Sequence, residues 1–178
     1  WSAMTSPGRR LRELLARPGI IKSLGVHDAF SARVMQQAGL ELAFLGGFGA
    51  SASMLGLPDL GLITQTEMAE AVRRIASRTT IPLVADGDTG HGELANVIRT
   101  VEQFERAGAA GILIEDQVTQ KRCGHFAGKT VVPVDEMRKR LHAALDARAD
   151  ADFAIFARTD ALATHGIDEA VDRANRYG

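Results

Sequence analysis

The stretch LVADGDTGHG at residues 83–92 begins with an apolar run and continues into a glycine-rich turn that holds two carboxylates, Asp86 and Asp88. A short apolar run bounded by turn residues is typical of a strand buried on both faces of a sheet. Two carboxylates at its end suit a hard divalent cation, which binds oxygen ligands and keeps its waters. We therefore predict a metal-binding turn after a buried strand, with a solvated Asp-Gly turn as the alternative.

The same unit recurs along the chain in both directions: an apolar run, a polar end and then an amphipathic helix. Predicted strands cover residues 20–26, 42–45, 83–86, 111–115 and 153–157. Predicted helices cover residues 7–17, 28–38, 64–78, 94–107 and 135–147, and a last one starts near Asp168. The glycine-rich residues 46–63 are expected to form a loop. Apolar strands between amphipathic helices imply a parallel sheet covered by helices.

Polar residues follow three of the predicted strands directly. Asp86 ends one strand, Glu115 ends the next, and Arg158 follows the one after that. In a (β/α)8 TIM barrel the functional groups converge at the carboxyl ends of the strands, so this pattern favours a barrel over an open doubly wound sheet. About five strands are predicted where a closed barrel has eight. We therefore expect the N-terminal part of a longer barrel.

The whole-chain composition limits the function classes. We expect residues 1–8 to be an N-terminal extension and residues 9–178 to be the N-terminal portion of a single barrel domain. The net charge of -1 gives no reason to expect nucleic acid or an anionic membrane as a partner. Cys123 is the single cysteine, and no apolar run is long enough to span a membrane. A cytoplasmic enzyme with a small-molecule partner is the default.

Glu115 strengthens the prediction of a metal site. It ends the strand that follows Asp86 in the chain, so the two carboxylates are expected to be neighbours in a parallel sheet. Unpaired carboxylates facing each other repel, and a cation removes that cost. We predict Mg²⁺ as the ion, with Mn²⁺ as the alternative.

A second candidate group lies in the loop after the same strand. Its residues are Lys121, Arg122, Cys123, Gly124 and His125. Two cations and an imidazole around a thiol stabilise its thiolate, so Cys123 can serve as an acid, a base or a nucleophile. The alternative is a basic surface loop with an incidental cysteine.

Arg158 and the glycines near residue 47 are candidate substrate-binding groups. Arg158 can bind a carboxylate through two hydrogen bonds, and a structural salt bridge with Asp160 or Glu115 is the alternative. Residues 47–52, GFGASA, match a dinucleotide-binding pattern, but no helix is expected to follow them, which disfavours a Rossmann site. Glycines at a barrel mouth more simply let backbone amides reach a substrate oxygen.

Five motifs in order resemble the isocitrate lyase/phosphoenolpyruvate mutase superfamily. They are LGLPDLG at 55–61, DGDTGHG at 86–92, IEDQ at 114–117, KRCGH at 121–125 and ARTDA at 157–161. The cysteine-containing loop resembles the lyase branch, which includes methylisocitrate lyase and 2,3-dimethylmalate lyase. The resemblance implies a Mg²⁺-dependent TIM barrel, usually a homotetramer, that acts on 2-oxo or 2-hydroxy acids through enolate-like intermediates.

The resemblance also implies roles for individual residues. Asp86 would bind the metal directly, and its waters would be held by Asp59, Asp88 and Glu115. Cys123 would protonate the departing enolate in positive surroundings supplied by Lys121 and His125. Substrate binding would fall to Gly46, Gly47, Gly124 and Arg158. Gly46 stands where many relatives have a serine, and Gly87 stands where they usually have an alanine.

The expected activity is cleavage of a 2-hydroxy di- or tricarboxylate, similar to methylisocitrate or dimethylmalate, into a 2-oxo acid and a second carboxylate. An oxaloacetate hydrolase or decarboxylase, or a phosphonomutase of the phosphoenolpyruvate or carboxyphosphonoenolpyruvate type, is the alternative within the superfamily. A non-catalytic truncated fragment is the alternative of another class, because an unclosed barrel exposes strand edges.

Overall fold

A computed structural model describes residues 5–119, 123 and 128–178, in which strands and helices alternate. The strands are β1 (Ser23–Val26), β2 (Leu42–Leu45), β3 (Leu83–Asp86), β4 (Gly111–Glu115) and β5 (Ala154–Arg158). The helices are α1 (Pro7–Leu15), α2 (Ala29–Gln37), α3 (Gly47–Ala50), α4 (Gln65–Ala76), α5 (Leu94–Arg106), α6 (Val134–Ala147), α7 (Leu162–His165) and α8 (Ile167–Tyr177). A π-helical segment, Ser51–Leu55, continues α3.

The five strands form one parallel sheet in chain order, β1-β2-β3-β4-β5. An open doubly wound sheet would reverse its strand order at a switch point, whereas a barrel adds each strand beside the last. The structure therefore confirms a partial (β/α) barrel. The register places Asp86 of β3 beside Leu113 of β4, and Glu115 of β4 beside Arg158 of β5.

Three predicted helix starts are confirmed by their capping hydrogen bonds. Ser6, Asp28 and Thr64 each accept a hydrogen bond from a backbone amide of the first helical turn. The side chain of Glu67 completes a capping box with Thr64, which satisfies two amides that the helix itself leaves without acceptors. Local sequence thus decides where α1, α2 and α4 begin.

The centre of the sheet is buried on both faces, and its edges are not. Every residue of β3 is buried, and Ile112 and Ile114 of β4 are completely covered. Burial of a Leu, Val or Ile side chain such as those of Leu83, Ile112 and Ile114 contributes about 1.5–3 kcal/mol of hydrophobic stabilisation. The prediction of continuous burial is wrong for β1, in which Leu24 is 57% exposed: among the strands that the structure describes, β1 pairs with β2 alone, so fewer side chains cover it. β3 and β4 therefore form the buried part of the sheet that carries the candidate site.

Several predicted boundaries need correction. A helix begins at Gly47, so the prediction of a loop over residues 46–63 is wrong for the nine residues 47–55. The short helix α7 was not predicted, and β5 starts and ends one residue later than expected, with Arg158 as its last residue. In the part of the chain that the structure describes, no helix has the length and apolar character needed to cross a membrane.

Candidate functional site

Asp86 and Asp88 form the centre of the site at the carboxyl end of β3. Asp86 is 9% exposed and Asp88 is 5% exposed. Asp86 Oδ1 accepts a hydrogen bond from the Asp88 amide at 3.0 Å, and Asp86 Oδ2 accepts one from the Gly47 amide at 3.1 Å. Asp88 has a left-handed backbone with φ of 51°, a conformation that Asp adopts more readily than most other non-glycine residues do. The turn is therefore built around the Asp86 carboxylate.

Glu115 joins this pair from the neighbouring strand, as the sequence predicts. Its amide donates to the Asp88 carbonyl at 2.8 Å, and its side chain is almost completely buried. Among the residues that the structure describes, Glu115 Oε1 is buried without a hydrogen-bond partner. Burial, together with the negative charges of Asp86 and Asp88, raises the pKa of Glu115 to about 8. The site thus holds more negative charge than its own residues neutralise.

Arg158 lies beside Glu115 at the end of β5. Its Nε is 3.7 Å from Glu115 Oε2, and its Nη2 donates to Asp160 Oδ1 at 3.1 Å. The alternative predicted for this residue, a salt bridge with Asp160 or Glu115, is therefore present with both partners. The side chain of Arg158 is still 34% exposed, so it is accessible from solvent. This exposed part can receive an anionic ligand.

A second row of polar residues lies behind Arg158, and no sequence motif indicates a function for it. Asp160 accepts hydrogen bonds from Gln117 and Lys129 as well as from Arg158. Gln117 and Asp160 fall in motifs that were recognised, but Lys129 comes from a loop whose path the sequence does not reveal. Only the folded chain brings these groups together.

The glycines at residues 46 and 47 begin α3 at the end of β2. Because the Gly47 amide donates to Asp86, the amino end of this helix faces a carboxylate of the protein. The sequence-based reason for rejecting a dinucleotide site, the absence of a helix, is wrong. A dinucleotide site is disfavoured for another reason: a pyrophosphate would meet the negative charge of Asp86.

The remaining predicted residues are placed less fully. Asp59 is buried in the segment between the π-helix and α4, and Cys123 is 3% exposed. Lys121, Gly124 and His125 lie outside the described residues, so their proposed roles stay predictions. The burial of Cys123 disfavours the alternative of an incidental surface cysteine.

The carboxylate oxygens of Asp86, Asp88 and Glu115 suit a hard cation, although these side chains do not surround a metal position completely. Within residues 5–119, 123 and 128–178, no group of three or more His, Cys, Asp or Glu side chains is arranged to hold a metal ion. Mg²⁺ keeps several waters and often contacts only one or two carboxylates directly, so such a shell is not required. Mg²⁺ prefers oxygen ligands, and the candidate site offers carboxylate oxygens, among them the buried Oε1 of Glu115.

Two comparisons of sequence show which known proteins the chain is similar to. A family model described as phosphoenolpyruvate phosphomutase matches residues 11–178. The chain is 45% identical over 168 residues to 2,3-dimethylmalate lyase of Eubacterium barkeri, covering 94% of this chain and 58% of that protein. It is 45% identical over 176 residues to 2-methylisocitrate lyase of Escherichia coli K12, covering 98% of this chain and 60% of that protein.

Solved structures agree with this likeness. Oxaloacetate acetylhydrolase in complex with 3,3-difluorooxalacetate has a TM-score of 0.93 and 40% identity, over 97% of this chain and 60% of that one. Phosphonopyruvate hydrolase, solved with oxalate and Mg²⁺, has a TM-score of 0.88 and 35% identity, over 97% of this chain and 59% of that one. The chain therefore spans about three fifths of the length of the relatives it matches.

Proposed function

The chain belongs to the phosphoenolpyruvate mutase/isocitrate lyase superfamily, and we propose that the protein is a Mg²⁺-dependent carbon–carbon lyase within it. The proposed substrate is a 2-hydroxy di- or tricarboxylate, similar to dimethylmalate or methylisocitrate. The proposed products are a 2-oxo acid and a second carboxylate. As further parts of this proposal, the protein assembles as a homotetramer and works in the cytoplasm.

One observation carries the metal part of the proposal: Asp86, Asp88 and Glu115 are crowded together at the ends of β3 and β4. Glu115 Oε1 is buried and has no hydrogen-bond partner among the described residues, and its pKa is raised to about 8. A divalent cation would supply the missing positive charge and allow Glu115 to ionise beside the other two carboxylates.

The chain's own residues would hold the ion. Asp86 would bind it directly, since backbone amides of Gly47 and Asp88 already fix both of its carboxylate oxygens. Asp59, Asp88 and Glu115 would hold its waters. When bound, Mg²⁺ would polarise the oxygens of a 2-hydroxycarboxylate and stabilise the negative charge that develops on them.

Arg158 would bind a carboxylate of the substrate. Its guanidinium donates a hydrogen bond to Asp160, and its side chain is partly exposed to solvent. A planar guanidinium can donate two parallel hydrogen bonds to a carboxylate, which would orient the substrate toward the three acidic residues. Backbone atoms of Gly46, Gly47 and Gly124 complete the proposed substrate-binding set.

Cys123 would be the proton donor. Loss of the substrate's hydroxyl proton would drive cleavage of the adjacent carbon–carbon bond, and the bonding electrons would pass to the departing carboxylate as an enolate-like carbanion. The Cys123 thiol would protonate that carbanion, with Lys121 and His125 supplying positive charge nearby. The released hydroxyl proton balances the donated one, so the net reaction splits one molecule into two.

A hydrolase is the second candidate. The solved oxaloacetate acetylhydrolase has a TM-score of 0.93 with this chain, and its inhibitor, 3,3-difluorooxalacetate, is a small oxo acid. The carboxylate cluster and Arg158 would serve either chemistry. The two candidates differ in substrate, because hydrolysis of oxaloacetate adds water to a 2-oxo acid, whereas the lyase reaction begins from a 2-hydroxy acid.

A product assay decides between these candidates. The protein is incubated with dimethylmalate, methylisocitrate and oxaloacetate in separate reactions, and the products are identified by NMR. We expect a 2-oxo acid from one of the 2-hydroxy acids, with turnover lost after EDTA treatment and restored by Mg²⁺. Oxalate and acetate from oxaloacetate alone would replace the lyase proposal with the hydrolase. Equal turnover after EDTA would reject the metal role.

A further inference from the structure

Two buried charged side chains lie behind Arg158 and are outside the proposed catalytic set. Asp160 Oδ1 accepts a hydrogen bond from Lys129 Nζ at 3.0 Å and one from Arg158 Nη2 at 3.1 Å. Asp160 Oδ2 accepts one from Gln117 Nε2 at 2.9 Å. The side chains of Lys129 and Asp160 are 7% and 5% exposed. Both carboxylate oxygens of Asp160 therefore have fixed donors.

The backbone at this strand end is held by a different carboxylate. Asp116 Oδ1 accepts a hydrogen bond from the Asp160 amide at 2.9 Å, and Asp116 Oδ2 accepts one from Thr159 Oγ1 at 2.7 Å. Arg173 and Tyr177 of α8 also donate to Asp116. Since Asp116 fixes the backbone, the side chain of Asp160 is left to bind the two cations.

The sharing of Asp160 has an electrostatic consequence for Arg158. Asp160 and Glu115 flank the Arg158 guanidinium from two directions. If these were the only charges, the guanidinium would be neutralised within the protein and would attract a substrate carboxylate weakly. Because Lys129 takes part of the charge of Asp160, Arg158 keeps a net attraction for an anion.

We propose that Lys129 and Asp160 are positioning residues for Arg158. Asp160 sets the direction of the guanidinium, and Lys129 keeps the charge of Arg158 available to a substrate carboxylate. The inference rests on the proposed function in one respect, the role of Arg158 in binding a carboxylate, and it is independent of which reaction follows.

The test measures binding of oxalate, a two-carbon dicarboxylate, in the presence of Mg²⁺ by isothermal titration calorimetry. Lys129→Gln removes the charge, and Lys129→Arg keeps it. Lys139→Gln, at an exposed position of α6, is the matched control that removes the same charge elsewhere. Thermal unfolding and Mn²⁺ affinity are measured for each variant, because a merely structural defect would change them.

We expect Lys129→Gln to weaken oxalate binding by about 10-fold or more, the scale found for residues that orient a ligand-binding group from behind. Lys129→Arg should restore most of the affinity, and Lys139→Gln should bind oxalate as the wild type does. Mn²⁺ affinity should be unchanged in all three. Equal oxalate binding by Lys129→Gln and the wild type would overturn the inference, as would a wild type that binds no oxalate.

Asp160→Asn gives a second test that does not depend on the folding of Lys129→Gln. It makes the site more positive, so charge alone predicts tighter oxalate binding. Positioning predicts weaker binding, because the neutral amide oxygen of Asn holds the guanidinium less strongly than the carboxylate of Asp160 does. Tighter binding would overturn the role of Asp160. If oxalate binding depends on Lys129 and Asp160 but no 2-hydroxy acid is cleaved, the positioning role stands and the proposed lyase reaction is rejected.

Discussion

Glu115 and Arg158 are register partners at the ends of β4 and β5, yet Arg158 Nε lies 3.7 Å from Glu115 Oε2. This distance is too long for a strong hydrogen bond, and Arg158 donates to Asp160 at 3.1 Å instead. The positive charge of Arg158 lowers the pKa of Glu115, but burial and the negative charges of Asp86, Asp88 and Asp160 outweigh it. Arg158 therefore does not fully neutralise the charge of Glu115, and a cation can supply the remaining positive charge.

The stability of the metal-free protein should depend on pH through Glu115. Its pKa in the folded chain, about 8, lies above the ordinary value of 4.5. A raised carboxyl pKa contributes stability that is complete below the unfolded pKa and is lost as the pH rises through the folded one. We expect Glu115→Gln to gain stability relative to the wild type between about pH 5 and 8 in EDTA.

Urea denaturation at several pH values measures this difference in the free energy of unfolding. Saturating Mg²⁺ should reduce the relative gain of Glu115→Gln, because the ion stabilises the ionised wild type. Glu13→Gln, which alters an exposed carboxylate of α1, serves as the control and should show no comparable trend. A pH-independent difference between Glu115→Gln and the wild type would contradict the electrostatic argument.

Replacement of the buried thiol should affect catalysis more than binding. Cys123→Ser substitutes a hydroxyl that donates a proton far less readily, so we expect kcat to fall by about 100-fold or more. The KM should change little, and Mn²⁺ affinity should match the wild type. Steady-state kinetics with the cleaved 2-hydroxy acid measure both constants. Unchanged turnover would remove Cys123 from the proton-donor role.

Gly87 and Ile112 should be energetically coupled. A Cβ added to Gly87 would lie 2.6 Å from Ile112 Cδ1 and 3.0 Å from the Leu113 carbonyl oxygen. We expect Gly87→Ala to destabilise the fold by about 1–3 kcal/mol, the usual cost of overpacking. Adding Ile112→Val should recover part of that loss, although this change alone costs about 0.5–1.5 kcal/mol.

Urea denaturation of both single variants and the double variant gives the coupling energy between these positions. Gly25→Ala is the matched control, because a Cβ there would meet no described atom within 4 Å. Its effect on the free energy of unfolding should stay within about 0.5 kcal/mol. Strictly additive effects of the Gly87 and Ile112 substitutions would contradict the coupling, because they would show that the Cβ added at Gly87 does not press against the Ile112 side chain.

Several features of the site could be predicted from the sequence because they depend on local patterns and strand order. The bounds of β2, β3 and β4 match the prediction residue for residue, since each is an apolar run enclosed by turn residues. The adjacency of Asp86 and Glu115 follows from consecutive parallel strands. Strand order alone was therefore enough to bring these two carboxylates to one edge of the sheet.

Other features depend on tertiary contacts that no local pattern contains. Glycine is a poor helix former, so the helix at Gly47 was not predicted. In the folded chain, the first amide of that helix has its acceptor 39 residues away, on Asp86. Lys129 and Asp160 are likewise 31 residues apart in the chain. No local pattern predicts that Lys129, which lies between β4 and α6, donates a hydrogen bond to Asp160.

The most direct test of the central claim is a Mn²⁺ titration of the wild type, Asp86→Asn and Asp172→Asn, followed by electron paramagnetic resonance. Asp172 is a 58% exposed carboxylate of α8 and serves as the matched control. We expect the wild type and Asp172→Asn to bind one ion with the same affinity, and Asp86→Asn to bind it about 100-fold more weakly or not at all, because it lacks the charged ligand. Equal Mn²⁺ affinity of Asp86→Asn and the wild type would contradict the claim that the Asp86 carboxylate is the centre of a divalent-metal site.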